Sequence, residues 1–385
     1  MHIVYAIDGL GSGGAQRQLV EVARRVKLDR GWRVSCLVYR PDDFYAARLR
    51  EVEIPIVLIP KYGKLDPLFP RRIGAWLGEA GADLVHCFMT VPALWNLLAV
   101  RGLPRRRRPA VIASERDERI ATTRLQGWLQ RFVYRGSDAV TANSGSAARA
   151  IVARLGVPAE RVHYIPNGID LEHWDRSARQ PCSLALDPGC FHVALIGRLE
   201  PQKNHALLIE ALRRIEPARR ARWRVWLVGA ETGGRSFAAG IEAQAAAAGL
   251  GGQLRLVDPM AGVAALMGGL DCLVLPSRHE GFPNVVLEAM ASRLPVVASR
   301  VGDAPHLVED GRTGFLFDSE DAAGLAAALL RVAALSAAER EALGERARDV
   351  IERRYTIASV ADSYARLYES VLRAVIDTRE CRDGR

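Results

Sequence analysis

Short runs of branched and aromatic residues alternate along this chain with stretches of helix length, and the alternation occurs twice. In the first half the runs are HIVYAI, RVSCLVY, PIVLI, DLVHCF, AVIAS, DAVTAN and RVHYIP. Residues 177–191, SARQPCSLALDPGCF, then break the pattern with Ser, Pro and Gly and no periodicity, and read as a linker. A second series follows: HVALIG, WRVWLVG, QLRLV, DCLVLPS, PVVAS and TGFLF. Strands covered on both faces read as continuous apolar runs, and parallel strands need a helix-length crossover between them. The pattern therefore predicts an α/β protein with two Rossmann-like domains, residues 1–178 and 179–354. The segment 355–385 reads as a helix that crosses back to the first domain. In open parallel sheets ligands bind beyond the C-terminal strand ends, so two facing sheets predict a ligand in an interdomain cleft.

Composition narrows the class. With 385 residues, 49% hydrophobic and 25% charged, the chain is neither disordered, fibrous nor a small disulfide scaffold. Its six cysteines show no C-x-x-C spacing, which fits a reducing compartment and gives no zinc motif. The start MHIVYAIDGLG lacks the pattern of a signal peptide, and no stretch reaches the roughly 20 apolar residues of a spanning helix. A cytoplasmic location is expected.

Charge is distributed unevenly. The chain carries a net +9, yet residues 1–180 hold 28 Lys+Arg against 18 Asp+Glu, a net of +10, and the remainder sums to −1. Such an excess reads as a solvated basic surface, an anionic membrane surface or a nucleic-acid site. No helix-turn-helix, zinc or RNA-binding signature accompanies it, so nucleic acid is not expected as a partner. Residues 120–135, IATTRLQGWLQRFVYR, read as an amphipathic helix with Leu125, Trp128, Leu129, Phe132 and Val133 on one face and Arg124, Arg131 and Arg135 along a flank. Arg105–Arg108 add a basic tract between two prolines. The helix reads either as a core face with a solvated flank or as peripheral contact with an anionic inner membrane face.

Three motifs carry chemistry. Gly9, Gly11 and Gly14 form a G-x-G-x-x-G between a strand and a helix, where a glycine loop brings phosphate to backbone N–H groups. The second strand ends at Val38-Tyr39-Arg40 without the acid that a dinucleotide site wants, and Asp42 comes only after Pro41. Arg198 and Lys203 follow the strand HVALIG, where two cations beside a helix N-terminus suit a diphosphate, or are merely solvated. Glu280 and Glu288 lie eight apart in SRHEGFPNVVLEAMA, with the turn Gly281-Phe282-Pro283 between them and a helix beginning at Asn284. Carboxylates there can accept from sugar or ribose hydroxyls. A solvated helix glutamate fits poorly with its apolar neighbours Val285, Val286 and Leu287.

These motifs resemble those of the family 4 glycosyltransferases, retaining enzymes of the GT-B fold. The resemblance rests on Glu280 to Asn284 with Leu287 to Ala291, a Glu-x7-Glu pattern, and on Gly197-Arg198-Leu199 with Lys203. Ile165 to Asp170, Gly13-Gly14, Pro295 to Val297, Gly302, and Glu309 to Gly314 add to it. It is loosest in residues 40–140. The resemblance implies that Arg198 and Lys203 hold the donor diphosphate and that Glu288 accepts from the ribose. It places Glu280 on the transferred sugar, with Gly281, Phe282, Pro283 and Asn284 beside it. Gly13 and Gly14 would reach the phosphates from the other domain, and His86 would lie near sugar and acceptor. Asp258 stands where many relatives have a glycine. Ser114-Glu115-Arg116-Asp117 replaces a Thr-x-His-like segment.

The implied reaction moves a sugar from a nucleotide-sugar, expected to be a UDP-sugar, to a glycan or polyprenyl-linked acceptor. Attack is front-face, and a donor phosphate oxygen takes the acceptor proton. No Asp-x-Asp motif is present, so no metal or resident cofactor is expected. The competing readings are a GT-B-like sugar-nucleotide epimerase and a basic lectin-like or nucleic-acid-binding protein.

Overall fold

The protein was described from a computed structural model. Residues 1–63, 66–116, 120, 122–231, 236–260 and 262–383 are the described residues. The chain divides into two compact units: Met1–Gly168 with the residues from Ile357 on, and Ile169–Thr356.

The first unit contains strands β1 (His2–Ile7), β2 (Arg33–Val38), β3 (Ile56–Leu58), β4 (Leu84–Phe88), β5 (Ala110–Glu115), β6 (Ala139–Ala142) and β7 (Val162–Tyr164). Between them run helices α1 (Gly14–Arg30), α2 (Ala46–Arg50), α3 (Phe69–Ala80), α4 (Thr90–Arg101), α5 (Arg124–Gly136) and α6 (Gly145–Leu155). The strands form one sheet in the order β3-β2-β1-β4-β5-β6-β7, every pair parallel. The apolar runs become strands because both faces are covered. Ile3, Tyr5 and Ile7 enter one core with α1, while Val4 and Ala6 enter another with α3 and α4. Helix α1 contributes Leu19, Val22, Ala23 and Val26 at helical spacing, and Gly31 ends it in the left-handed conformation that glycine adopts without strain.

The second unit repeats the plan. Helix α7 (Leu171–Ala178) precedes β8 (Phe191–Ile196), α8 (His205–Arg214), β9 (Trp223–Val228), α9 (Ser236–Ala247), β10 (Leu254–Val257), α10 (Val263–Met267) and β11 (Cys272–Leu275). Then come α11 (Asn284–Ala291), β12 (Val296–Ser299), α12 (Ala304–Leu307), β13 (Phe315–Phe317), α13 (Ala322–Ala334) and α14 (Ala337–Arg354). The parallel sheet has the order β10-β9-β8-β11-β12-β13. In both sheets the order reverses direction at its centre, beside β1/β4 and β8/β11, and ligand crevices form at such switch points. The final helix, α15 (Ile357–Asp383), packs on the first unit through Val360, Tyr364, Leu367 and Tyr368.

The boundary lies at Gly168/Ile169, ten residues before the position expected from the aperiodic stretch, and the return lies at Thr356/Ile357 rather than at 354/355. The displaced piece is α7, which is tied to the second unit. Trp174 Nε1 donates to Ser292 Oγ at 2.9 Å. The buried guanidinium of Arg348 grips Asp175 with two bonds of 2.8 Å, meets Glu352 at 2.8 Å and donates to Ala291 O at 2.6 Å. Residues 177–191 lead into β8 inside this unit.

The Arg348 bond holds the Asp175 carboxyl below its usual range. A depressed folded-state pKa adds stability above the unfolded value, and that stability is lost as pH falls through the folded one. Because the Asp175 side chain is 40% exposed, the pair is worth about 1–2 kcal/mol rather than the larger figure of a buried bridge. Asp175→Asn should lower Tm by several degrees at pH 7, and its gap to wild type should narrow below about pH 4. Parallel melting curves for the two proteins at both pH values check this, and an equal gap at both would discount the ion pair.

Candidate functional site

At the switch point of the second sheet the chain leaves β8 through Gly197 and Arg198. It forms a single 3-10 turn at Pro201–Lys203 and enters α8 at His205. Asn204 makes the turn possible by adopting φ 53°, the left-handed region that asparagine tolerates best after glycine. From the neighbouring strand β11 the chain runs through Ser277 to Glu280 and then into α11. These two loops meet. Lys203 Nζ lies 2.7 Å from Glu280 Oε1, and Ser277 Oγ donates to the same oxygen at 2.7 Å. Gln202 and Arg278 stitch the loops together further out, with Arg278 N donating to Gln202 O at 2.9 Å and Gln202 Nε2 donating to His279 O at 2.9 Å.

The other candidates of this unit surround the pair. The Arg198 side chain is 61% exposed and pairs with Glu200 at 3.0 Å. Glu288 is buried on α11, one turn in. Phe282 and Pro283 are buried before the helix, and no side chain caps its N-terminus. Gly302 presses against the Glu280 loop from behind. It has φ 54°, and a Cβ there would lie 2.0 Å from Glu280 O and 2.5 Å from Gly281 O. Asp303 N donates to Gly281 O at 2.9 Å.

In the first unit Gly13 is the extended N-cap of α1, Gly14 is its first residue, and no side chain caps that end. Met89 follows β4 with φ 79° and ψ 155°, a strained conformation for a residue with a side chain. It lies on the same C-terminal strand edge as the glycine loop. His86 sits inside β4 with 0% exposure. Its Nδ1 lies 2.7 Å from Tyr368 Oη and its Nε2 2.7 Å from Ser114 Oγ. Tyr368 donates onward to Tyr5 at 3.1 Å, so Nδ1 carries the proton. Burial, reinforced by the Arg116 charge, holds this imidazole well below its ordinary pKa and keeps it neutral.

Comparison with known proteins places the chain. A family model described as "Glycosyltransferase Family 4" matches residues 12–173, and one described as "Glycosyl transferases group 1" matches residues 190–334. A lipopolysaccharide core biosynthesis mannosyltransferase of Rhizobium meliloti is 31% identical over 65% of this chain and 70% of its own length. The chain belongs to the family 4 glycosyltransferases. A D-inositol 3-phosphate glycosyltransferase of Geodermatophilus obscurus is 35% identical over 58% of this chain, a match that spans about half (53%) of that relative. Among solved structures, Anabaena HepE in complex with UDP superposes with a TM-score of 0.81 at 23% identity, covering 96% of this chain and 100% of that one. The fold is GT-B.

Within this chain, Lys203, Glu280, Phe282, Pro283 and Glu288 gather at one switch point, with Arg198 on its exposed side. His86 departs from its expected place near sugar and acceptor. It is walled in by Tyr5, Phe88, Tyr364 and Tyr368, with both nitrogens taken by the interior. The residues that follow this strand at the sheet edge are Met89 and Thr90. The tract Arg105–Arg108 precedes β5 and so lies on the N-terminal strand edge, opposite the glycine loop.

The charged segment after β5 is partly structural. Glu115 is buried and accepts from Tyr134 Oη, from Gln130 Nε2 at 3.2 Å and from Arg116 N at 2.8 Å. Arg116 lies over the Phe88 ring and donates to Asn167 Oδ1 at 2.7 Å and Tyr364 Oη at 2.8 Å. Asp117 lies outside the described residues. Ser277 was missed as a site residue, although its place directly beyond a β11 strand end was a usable signal. Among the described residues no three His, Cys, Asp or Glu form a metal-type cluster, and no single helix is long and apolar enough to cross a membrane.

Gly302 offers a test of the loop. An added methyl meets backbone on two sides, so Gly302→Ala must displace Glu280 or strain the turn. The variant should lose several degrees of Tm. Scanning calorimetry reads this directly, and a wild-type Tm would show that the close contact does not constrain the Glu280 loop.

Proposed function

We propose that the protein transfers a sugar, with retention, from a nucleotide-sugar bound at the switch point of the second sheet to a glycan or lipid-linked glycan acceptor. The observation that carries this is the Lys203–Glu280 pair, a cation and a carboxylate held together where two βα loops meet. A donor diphosphate takes over Lys203 and joins Arg198, while Glu280 turns its carboxylate to sugar hydroxyls and Glu288 accepts from the ribose. As the bond between the sugar carbon and the phosphate oxygen breaks, negative charge grows on the diphosphate, and cations in place beforehand bind it more strongly than they bound the ground state. The acceptor oxygen bonds to the same face of the carbon, and its proton passes to the departing phosphate oxygen. A UDP-sugar is the favoured donor, supported by the UDP and UDP-glucose complexes of HepE. Neither an epimerase nor a lectin gains support from the relatives named above.

Lys203→Ala should lower the rate of UDP-sugar turnover at least ~10-fold, the loss of one charge-assisted contact of about 1.5–3 kcal/mol. Steady-state kinetics decide the point, and an unchanged kcat/KM would take Lys203 out of the site.

For the acceptor, the outward face of α5 supports a lipid-linked molecule met at a membrane surface. The helix buries Gln130, Val133 and Tyr134, while Leu125 is 77% and Trp128 65% exposed, flanked by Arg124 and Arg131. Apolar tips among cations suit an anionic interface, where each charge is worth about 1 kcal/mol. The protein should co-sediment with vesicles containing anionic lipid, and Leu125→Ser/Trp128→Ser should reduce the bound fraction several-fold while donor hydrolysis persists. A wild-type protein that stays in the supernatant at low salt would point to a soluble acceptor.

A further inference from the structure

A cavity lies on the N-terminal strand edge of the first sheet. It has a volume of about 880 Å3 and opens where β5, β6 and β7 begin, between the C-terminal ends of α4 and α5 and the side of α15. Five arginines line it, Arg101, Arg105, Arg106, Arg108 and Arg161, against two acids, Asp138 and Glu160. Several are oriented by carbonyls or a ring. Arg161 Nε donates to Asp138 O at 3.3 Å and its Nη2 to Arg135 O at 3.4 Å. Arg108 Nε donates to Leu103 O at 2.9 Å and its Nη2 to Arg101 O at 2.6 Å. The Arg101 guanidinium rests over the Phe132 ring, 4.9 Å from its centre. Bonds to carbonyls and contact with a ring orient a guanidinium. The floor of the cavity is apolar, formed by Leu97, Val100, Val371 and Val375.

We propose that this cavity binds an organic phosphate, with its phosphate or diphosphate on the arginines and an apolar body on the valine floor. Guanidinium forks match phosphate oxygens two at a time, and several like charges converging on one concavity are relieved by an anion. The volume falls within the ~300–1,000 Å3 of small-molecule sites. Solvated arginines on a surface need no common orientation, whereas here Arg101, Arg108 and Arg161, from three separate segments, are braced toward one cavity. Residues Ser370 to Val375 of α15 form one wall, so an occupant would brace the helix by which the chain returns to this unit.

The phosphate could be free or a lipid headgroup, and two soluble probes separate these sources: inorganic pyrophosphate and dihexanoyl phosphatidic acid below its micelle concentration. Titrations use the full chain saturated with UDP, which occupies the donor site. His163 lines the cavity, and burial holds its imidazole below the ordinary value. A bound phosphate favours the imidazolium and raises that pKa. The expected result is saturable binding of at least one probe and an upward shift in the titration of the His163 proton resonance, assigned with His163→Gln. Arg161→Ser should weaken binding at least tenfold. Arg105→Ser, in an exposed turn where folding is undisturbed, should weaken it several-fold with donor hydrolysis unchanged. Tight pyrophosphate binding assigns a soluble ligand, and preference for the lipid assigns a headgroup with its chain on the valines. No saturable binding of either probe, or equal affinity in wild type and both variants, overturns the proposal.

Discussion

Lys203 and Glu280 lie 77 residues apart, and they meet at 2.7 Å because β8 and β11 are neighbours in a parallel sheet. Parallel pairing puts the end of every strand on one edge, and the reversal of strand order between these two opens a gap that no crossover helix covers. Into that gap each strand delivers one loop. A largely buried lysine and glutamate are each costly to desolvate, and each makes the other tolerable. The pair also keeps the lysine extended and aimed before any ligand arrives. A diphosphate that displaces Glu280 therefore meets a cation already in position, with its ordering entropy spent in folding. Ser277 Oγ holds the same Glu280 oxygen, and Gly302 packs against the backbone of that loop.

The strand pattern was readable because strands sandwiched between helices leave no polar alternation. Among the described residues, all thirteen strands coincide with apolar runs evident in the sequence. The Glu280 loop was readable too, since Gly281, Phe282 and Pro283 mark a turn between a strand and a helix. The domain boundary was not. Helix α7, with the sequence LEHWDRSA, carries no mark of which unit it joins. Its allegiance is decided by Arg348, 173 residues further on, and by Ser292.

His86 shows a different limit. A histidine at the fourth position of the run DLVHCF reads the same whether it faces a crevice or the interior. Its surroundings come from Tyr5 on β1, Ser114 on β5 and Tyr364 and Tyr368 on α15, so only the folded chain reveals a closed polar network. Within that network Ser114 also meets Thr141, and every hydroxyl has a partner, as buried polar groups require. The histidine thus fastens α15 to the centre of the sheet. Helix α5 was ambiguous for a related reason. Five apolar residues on one wheel face suggest a core face, yet its N-terminal half projects Leu125 and Trp128 outward while Val133 and Tyr134 do the burying.

The basic excess of residues 1–180 looks like one property in the sequence and becomes two in the structure. Arg124 flanks exposed apolar residues at the start of α5, which follows the C-terminal end of β5. Arg105 to Arg108 precede β5 and join Arg101 and Arg161 at the opposite edge. A strand of six residues spans roughly 20 Å, about twice the Debye length at 0.1 M salt, so Arg124 and the Arg105–Arg108 tract act as separate fields. A single basic surface would explain neither the apolar tips among the first group nor the apolar floor beneath the second. Each set of cations is paired with its own hydrophobic element, and that pairing, more than the net charge, distinguishes contact with an extended interface from capture of a single phosphate-bearing molecule.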